Sequence, residues 1–420
     1  MRVYLRTFGC RANQYDTESV RAMVEAAGHF VVSDPDDADL AVFNSCAVTA
    51  EAEADLRKAV RRAARGHPAL KSVIMGCASA LPRPERGPTS LRELPTVQHV
   101  VPGADFALLA EALGLPLDVG VRAAQQAGTR ALLRIQDGCD EHCTFCTTTQ
   151  ARGANRSRTA RELVDEAKRL GERHPEIVIT GIHIGSFGLD TGSSLGALLQ
   201  QLVREVPATR FRLSSLEATE VDDAIFELLV DPSSGVAAHL HAPLQSGSDR
   251  ILKRMGRHWY TARSYAARVE QLAAAAPVLG LGADVIAGFP GESIDDHAAT
   301  MALIEALPFT YLHVFPYSVR PGTPAERLPD HVHSATIADR AAELRGLADR
   351  KAAAHAAARS GTEADVVVIR DLVNGTREGI TEDYLTVAVQ GSAEPGTRIR
   401  ARLEARDGGL VAVPRHNGDR

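Results

Sequence analysis

Short apolar runs alternate with amphipathic stretches along most of the chain. Arg2–Gly9, Ala38–Ser45 and Lys71–Gly76 are apolar and β-rich, and Asp16–Ala27 and Ala50–Arg65 between them repeat with a helical period. Such alternation predicts a parallel sheet. Leu81–Pro102, rich in Pro and Arg, reads as a loop, Asp105–Leu113 as a short helix, and Pro116–Thr129 as a link. Six further strand-like runs follow: Ala131–Ile135, Ile177–His183, Arg210–Ser215, Ala237–Leu244, Leu281–Gly288 and Tyr311–Ser318. Helical patterns separate them, among them Thr159–Arg173, Val221–Val230, Thr261–Ala276 and Ile294–Ala306, and Ser334–Ser360 reads as a long Ala-rich helix. Six βα repeats predict an open, partial version of the barrel that needs eight to close.

Beyond Gly361 the period changes to two. Ala364–Arg370, Leu385–Val389, Gly396–Leu403 and Leu410–Val413 alternate as half-buried strands do, with turns at Asn374-Gly375 and Asp407-Gly-Gly409. They predict a small antiparallel β-barrel of a kind often used on nucleic acid. The expected class is α/β: a parallel α/β unit over residues 1–120, a partial (β/α)6 barrel over 130–360 and the small β-barrel over 361–420.

Composition narrows the chemistry. At 420 residues, 45% hydrophobic and 24% charged, the chain reads as globular, and no apolar run approaches a membrane span. The opening Met1–Thr7 has no signal-peptide pattern, so a cytoplasmic location is expected. A net charge of −6 leaves nucleic-acid binding to local patches. All six cysteines lie before residue 147, which points to metal or redox chemistry over disulfides.

Cys139, Cys143 and Cys146 are spaced C-x3-C-x2-C directly after a strand-like run. Thiolates hold iron–sulfur clusters, and three of them leave one iron of a cubane open to a small molecule. A Cys₃His zinc site using His142 is the alternative. Cys10, Cys46 and Cys77 each end a strand-like run, so a parallel sheet brings them to one carboxyl edge, where ligands bind in open α/β sheets. A second three-cysteine cluster site is expected there; three unrelated buried cysteines are the bland reading.

Polar and glycine-rich loops follow the later strands: Thr180–Ser186 with Gly181 and Ser186, Ser214–Glu217 with Ser215 and Glu217, Pro243–Ser248 with Gln245 and Ser246, and Gly288–Glu292. Together they predict a ligand-binding rim. Arg57 and Arg61 share one helix face, Arg152 follows the cysteine loop, and Arg398 and Arg400 share a strand face. Each is a candidate phosphate contact, against ordinary solvated charge. His183, His239, His241 and His313 alternate with apolar residues and read as barrel-interior or rim histidines.

The chain resembles the radical S-adenosylmethionine methylthiotransferases that modify transfer RNA. The resemblance rests on Thr7-Phe-Gly-Cys10 with Asn13-Gln14-Tyr15, Phe43-Asn44-Ser-Cys46-Ala-Val-Thr49, Gly76-Cys77-Ala, the Cys139 triad, Leu244-Gln-Ser-Gly-Ser-Asp249, Gly288-Phe-Pro-Gly-Glu292 and Phe315-Pro-Tyr-Ser318. Asn13–Tyr15, Thr180–Gly188 and Val314–Ser318 most resemble the branch acting on threonylcarbamoyladenosine 37. Sister branches act on isopentenyladenosine or on an aspartate of a ribosomal protein. The tail resembles the family's RNA-binding TRAM barrel. One segment departs: Thr147-Thr-Thr-Gln150 stands where the family usually has an apolar pair and a proline.

The resemblance implies a [4Fe–4S] cluster on Cys139, Cys143 and Cys146 that binds S-adenosylmethionine, with Phe145 lining the cofactor adenine. It implies a second cluster on Cys10, Cys46 and Cys77, where the added sulfur is carried. The reaction implied is radical activation of C2 of adenosine 37, with a second S-adenosylmethionine supplying the methyl group. Implied partners are the tRNA anticodon stem-loop and an electron donor such as a flavodoxin or ferredoxin. A non-enzymatic RNA-binding metalloprotein is the reading furthest from this one.

Overall fold

The computed structural model describes residues 1–47, 50–82, 87, 90–116, 126–372, 375–406 and 409–414. The first sheet holds β1 (Arg2–Thr7), β2 (Phe30–Val32), β3 (Leu40–Ser45), β4 (Lys71–Gly76) and β5 (Val97–Val100), in the order β2-β1-β3-β4-β5. Every pair is parallel. The helices Arg11–Ala26 and Phe106–Leu113 pack through Val20, Met23 and Leu109 on one face. The helix Ala50–Gly66 packs through Leu56, Val60 and Ala63 on the other. Cover on both faces explains why β3 reads as an unbroken apolar run.

Three local readings are corrected. β2 was not expected, and β5 lies inside the stretch read as a loop; both are short, partly exposed edge strands with no full period to detect. The first helix begins at Arg11, not Asp16. Its first two turns bury Asn13 and Asp16, and polar residues on the inward face hide the helical pattern.

The central unit contains β6 (Ala131–Arg134), β7 (Gln136–Asp137), β8 (Arg156–Ser157), β9 (Glu176–Thr180), β10 (Arg210–Leu213), β11 (His239–His241), β12 (Gly280–Ala287) and β13 (Tyr311–Pro316). Two parallel sheets, β6-β9-β10 and β11-β12-β13, are joined by parallel bridges from Phe211 to Val236 and from Ser215 to His241. Six strands therefore follow one another in chain order as a partial barrel. The short antiparallel β7–β8 pair brackets the second cysteine loop. Among the described residues, no helix is long and apolar enough to cross a membrane.

The last unit is a closed barrel of β14 (Glu363–Asp371), β15 (Arg377–Ile380), β16 (Thr386–Val389), β17 (Arg398–Arg406) and β18 (Gly409–Pro414). It is mixed, not antiparallel as expected, because β16 and β18 run parallel. Five strands cannot alternate direction all the way around a closed barrel, so one pair must run parallel. β15, Arg-Glu-Gly-Ile, has too few apolar residues to be read as a strand. Residues 117–125 of the expected link, 374 and 407–408 of the expected turns, and 48–49 of the second motif lie outside the described residues.

A buried charge cluster holds this barrel against the central unit. Glu176 is fully buried and accepts hydrogen bonds from Arg210 Nε at 2.6 Å and Arg212 Nη2 at 2.9 Å. Burial opposes ionisation of Glu176, but the two guanidinium groups outweigh it and hold its carboxyl well below the usual range. The remaining arginine donors cross the interface to the carbonyls of Asp365, Ile380, Thr381 and Glu382. Glu176→Gln leaves two buried cations short of a counter-charge. Its expected cost is about 3–5 kcal/mol of unfolding free energy, measured by denaturant titration; a change near zero contradicts this account of the interface.

Candidate active site

Cys10, Cys46 and Cys77 each follow one of three adjacent parallel strands, β1, β3 and β4, so they meet at the carboxyl edge of the first sheet. Gly9 sits at φ +93°, and a Cβ there would overlap the Cys46 side chain. The backbone must be bare at this point to leave room for the sulfur. Asn13 Nδ2 donates to the carbonyls of Phe8 and Ser45 at 2.9 and 2.8 Å, pinning the loops around Cys10 and Cys46. Burial pushes the Cys77 thiol up to about 11, the charge of Arg152 opposes this, and Cys10 and Cys46 add a smaller push.

Cys139, Cys143 and Cys146 lie on the loop after β7. Cys139 N donates to Gly153 O at 3.0 Å, and Cys146 N to Cys143 O at 3.1 Å. Thr144 N donates to Met255 O at 2.8 Å, tying the loop to the opposite side of the barrel. Cys143 receives a hydrogen bond from Arg257 Nη1 at 3.4 Å, and Arg257 in turn pairs with buried Glu217. Burial pushes the Cys143 thiol up to about 12 despite Arg257. His183 Nδ1 lies 3.8 Å from Cys139 and Nε2 2.7 Å from Glu220. Burial disfavours its protonation, but hydrogen bonds to Cys139 and Glu220 prevail and raise it to about 10.

No disulfide joins any of the six cysteines. Tetrahedral zinc brings its sulfurs to about 3.8 Å of one another. Among the described residues, the one set of three ligand atoms within 4.8 Å is His241, Asp284 and His313, and these are hydrogen-bonded to each other. Neither cysteine trio closes to a zinc spacing, and His142 is exposed. Three thiols at each site are the donor set of a cubane with one iron left without a protein ligand.

The two trios are joined by the helix Thr148–Arg152, which starts two residues after Cys146. Ala151 packs with Ala47, Cys77 and Ala78 beside the first trio. Arg152 Nε donates to Cys77 Sγ at 3.2 Å, and Nη2 donates to Asn13 Oδ1 at 2.6 Å and Asp16 Oδ2 at 2.8 Å. Arg134 holds the other oxygen of Asp16 at 2.5 Å. The departing segment belongs to this joint: Thr147 is buried, and Thr148 N donates to Cys146 Sγ at 3.3 Å.

A cavity of about 170 Å³ opens beside the second trio, lined by Phe145, Gln245, Asp284, Ile286, Tyr317 and Arg320 among others. Phe145 stacks edge-on against Phe289 at 6.2 Å. Of the residues expected to bind cofactor, Phe145 and Gln245 therefore line the pocket. Gly181 has no room for a side chain beside Gln136, whose Oε1 accepts from the Ile182 and His183 amides. Ser186 is committed to Asn155 and its own turn, and Ser215 is exposed. Glu217 is occupied by Arg257, and Ser246 is wholly buried against Thr300 and Ser248. Arg257 and Arg320 were not picked out, because single basic residues outside a motif carry no sequence signal, and His183, read as a barrel-interior or rim histidine, lies beside Cys139.

Arg152, expected on an RNA-facing surface, is 5% exposed and engaged with Asp16, Asn13 and Cys77. It cannot reach phosphate from there. Arg57 pairs with Glu53 and Arg398 with Asp365, while Arg61 and Arg400 are exposed.

Comparison with known proteins places these features. Residues 2–101 match the model of Uncharacterized protein family UPF0004, and residues 133–304 that of the Radical SAM superfamily. The chain is 34% identical to threonylcarbamoyladenosine tRNA methylthiotransferase MtaB of Bacillus subtilis, covering 93% of this chain and 91% of that protein. This chain belongs to the radical S-adenosylmethionine methylthiotransferases. The MtaB protein of Aquifex aeolicus is 32% identical over 96% of this methylthiotransferase and 100% of its own length. The tRNA-2-methylthio-N(6)-dimethylallyladenosine synthase of Acidithiobacillus ferrooxidans is 34% identical over 87% and 86%. A radical S-adenosylmethionine methyltransferase from Kitasatospora setae shares the fold, with a TM-score of 0.58 and 15% identity over 77% of this chain and 75% of that one. S-adenosylmethionine and a [4Fe–4S] cluster follow from the radical S-adenosylmethionine region.

Arg152→Gln leaves buried Asp16 with Arg134 alone. The expected loss is about 3 kcal/mol of unfolding free energy, read by denaturant titration, with Arg152→Lys recovering only part because an ammonium lacks the guanidinium fork.

Proposed function

We propose that this methylthiotransferase adds a methylthio group to C2 of N6-threonylcarbamoyladenosine 37 in the tRNA anticodon stem-loop. The observation that carries the reading is the pair of cysteine trios, one at the edge of the first sheet and one on the barrel rim, joined through Arg152. Radical activation and delivery of sulfur and methyl need two adjacent centres, and two cysteine trios held close by this joint support that reading. MtaB relatives at 32–34% identity over more than nine-tenths of the chain support the threonylcarbamoyl branch.

In this reading Cys139, Cys143 and Cys146 hold the cluster that binds S-adenosylmethionine, and Cys10, Cys46 and Cys77 hold a second. When bound, these groups supply the radical chemistry and the sulfur. The protein's own residues do the placing. Phe145, Gln245 and Ile286 form the wall against which the cofactor lies, and the Arg257–Glu217 pair fixes the loop of Cys143. Arg61 and Arg400 remain candidates for RNA phosphate. The site works in the cytoplasm, with a flavodoxin or ferredoxin as electron donor.

Anaerobically reconstituted protein is expected to hold roughly eight irons per chain, and the variant with Cys10, Cys46 and Cys77 changed to Ala roughly four, by iron and sulfide analysis. The full protein converts anticodon stem-loop RNA bearing threonylcarbamoyladenosine to its methylthio form, seen by nucleoside mass spectrometry; the variant does not. Conversion of dimethylallyladenosine RNA alone would assign the chain to the sister branch.

A further inference from the structure

Burying a guanidinium beside a neutral thiol has a desolvation cost that so weak an acceptor does not offset. Yet Arg152, whose side chain is 2% exposed, directs Nε at Cys77 Sγ, 3.2 Å away. Cys77 is itself buried. The rest of the guanidinium is held so that this bond keeps its aim. Nη2 donates to Asn13 Oδ1 and Asp16 Oδ2, and Nη1 lies 3.5 Å from Asp137 Oδ2. Nη1 is closed off from solvent without a hydrogen-bond partner among the described residues. Asp16 is shared in turn with Arg134. The contact is favourable once Cys77 is a thiolate ligand, because a thiolate accepts a charge-assisted hydrogen bond where a neutral thiol accepts weakly.

Iron–sulfur potentials are set by net charge, by hydrogen bonds to the sulfurs and by solvent exposure. Reduction adds one negative charge to a cluster. Burial makes that charge costly and lowers the potential, whereas a guanidinium on a ligand sulfur stabilises it. We propose that Arg152 sets the reduction potential of the cluster on Cys10, Cys46 and Cys77, raising it above the value the buried thiolates alone would give. The inference rests on the second cluster of the function proposed above and deepens it. Arg152 acts through Cys77, as a positioning residue. Asp16 and Asp137 act in the opposite sense, because each carboxylate cancels part of the guanidinium charge. In the couple concerned one electron enters the cluster, no bond at Cys77 forms or breaks, and Arg152 keeps its proton. The side chain that ties the two trios together therefore also governs how readily the second cluster takes up an electron.

The test uses full-length protein with Cys139, Cys143 and Cys146 changed to Ala, so that one cluster carries the signal. The protein is reconstituted anaerobically and titrated with dithionite and redox mediators, and the reduced fraction is read by electron paramagnetic resonance. Arg152→Gln is expected to lower the potential, cutting the ratio of reduced to oxidised cluster at a fixed poise roughly tenfold, about 59 mV for a one-electron couple. Asp16→Asn is expected to raise it, and Asp137→Asn, at a half-buried carboxylate, to raise it by less. Opposite signs mark the effect of charge, since a general loosening of the site moves every variant the same way. Iron and sulfide analysis, at roughly four irons per chain, shows that each variant holds its cluster. An unchanged potential in Arg152→Gln, or shifts of one sign in Arg152→Gln and Asp16→Asn, overturns the inference and leaves the proposed function standing. Where either of these variants holds no cluster, Asp137→Asn decides: a raised potential supports the inference, and an unchanged or lowered one overturns it. If the parent with three alanines holds no iron, the two-cluster reading and this inference fall together.

Discussion

The guanidinium of Arg152 is the point on which the two halves of the site depend. It leaves a helix that begins just after Cys146, enters the first unit, and ends between Cys77, Asn13 and Asp16. Small residues, Ala47, Ala78 and Ala151, let the two loops approach closely. The geometry limits how far apart the cysteine trios can be. Two extended residues, one helical turn and an arginine side chain span no more than about 20 Å. Any charge placed so deep must be paired, and Asp16, itself shared with Arg134, meets that need. The pairing fixes orientation as well as charge.

The third unit is tied into the same assembly from below. Tyr384, on the small barrel, sits at φ +72°, a conformation that a bulky residue rarely adopts. Its ring lies tilted against His239 with centroids 4.6 Å apart, and its hydroxyl accepts a hydrogen bond from Arg11, the residue after Cys10, at 3.0 Å. From His239 a chain of contacts runs through Tyr311 and His241 to Asp284 at the cavity wall. With the Glu176 cluster, this seats the small barrel against the starts of β10 and β11. Its contribution to the site is therefore structural as well as any it makes to RNA.

Much of this was legible because strand and helix periods are strong along the chain, and because cysteine has few uses in a chain without disulfides. The cysteine at each strand end followed from counting residues between apolar runs. What stayed hidden was polar. Asn13, Asp16 and Arg152 look like surface residues in sequence, and only packing shows them buried. Ser246 and Ser186 sit in loops that suggest ligand contact, yet their hydroxyls are spent on holding the loops themselves. The parallel β16–β18 pair follows from barrel closure, which no single segment encodes.

The central claim is that two clusters sit within one short, rigid span. Electron paramagnetic resonance of the reduced, anaerobically reconstituted protein tests it most directly. The account predicts a spectrum broadened by magnetic interaction, distinct from the sum of spectra of the two variants that each lack one cysteine trio. A spectrum equal to that sum, or the signal of one cluster alone, would contradict it.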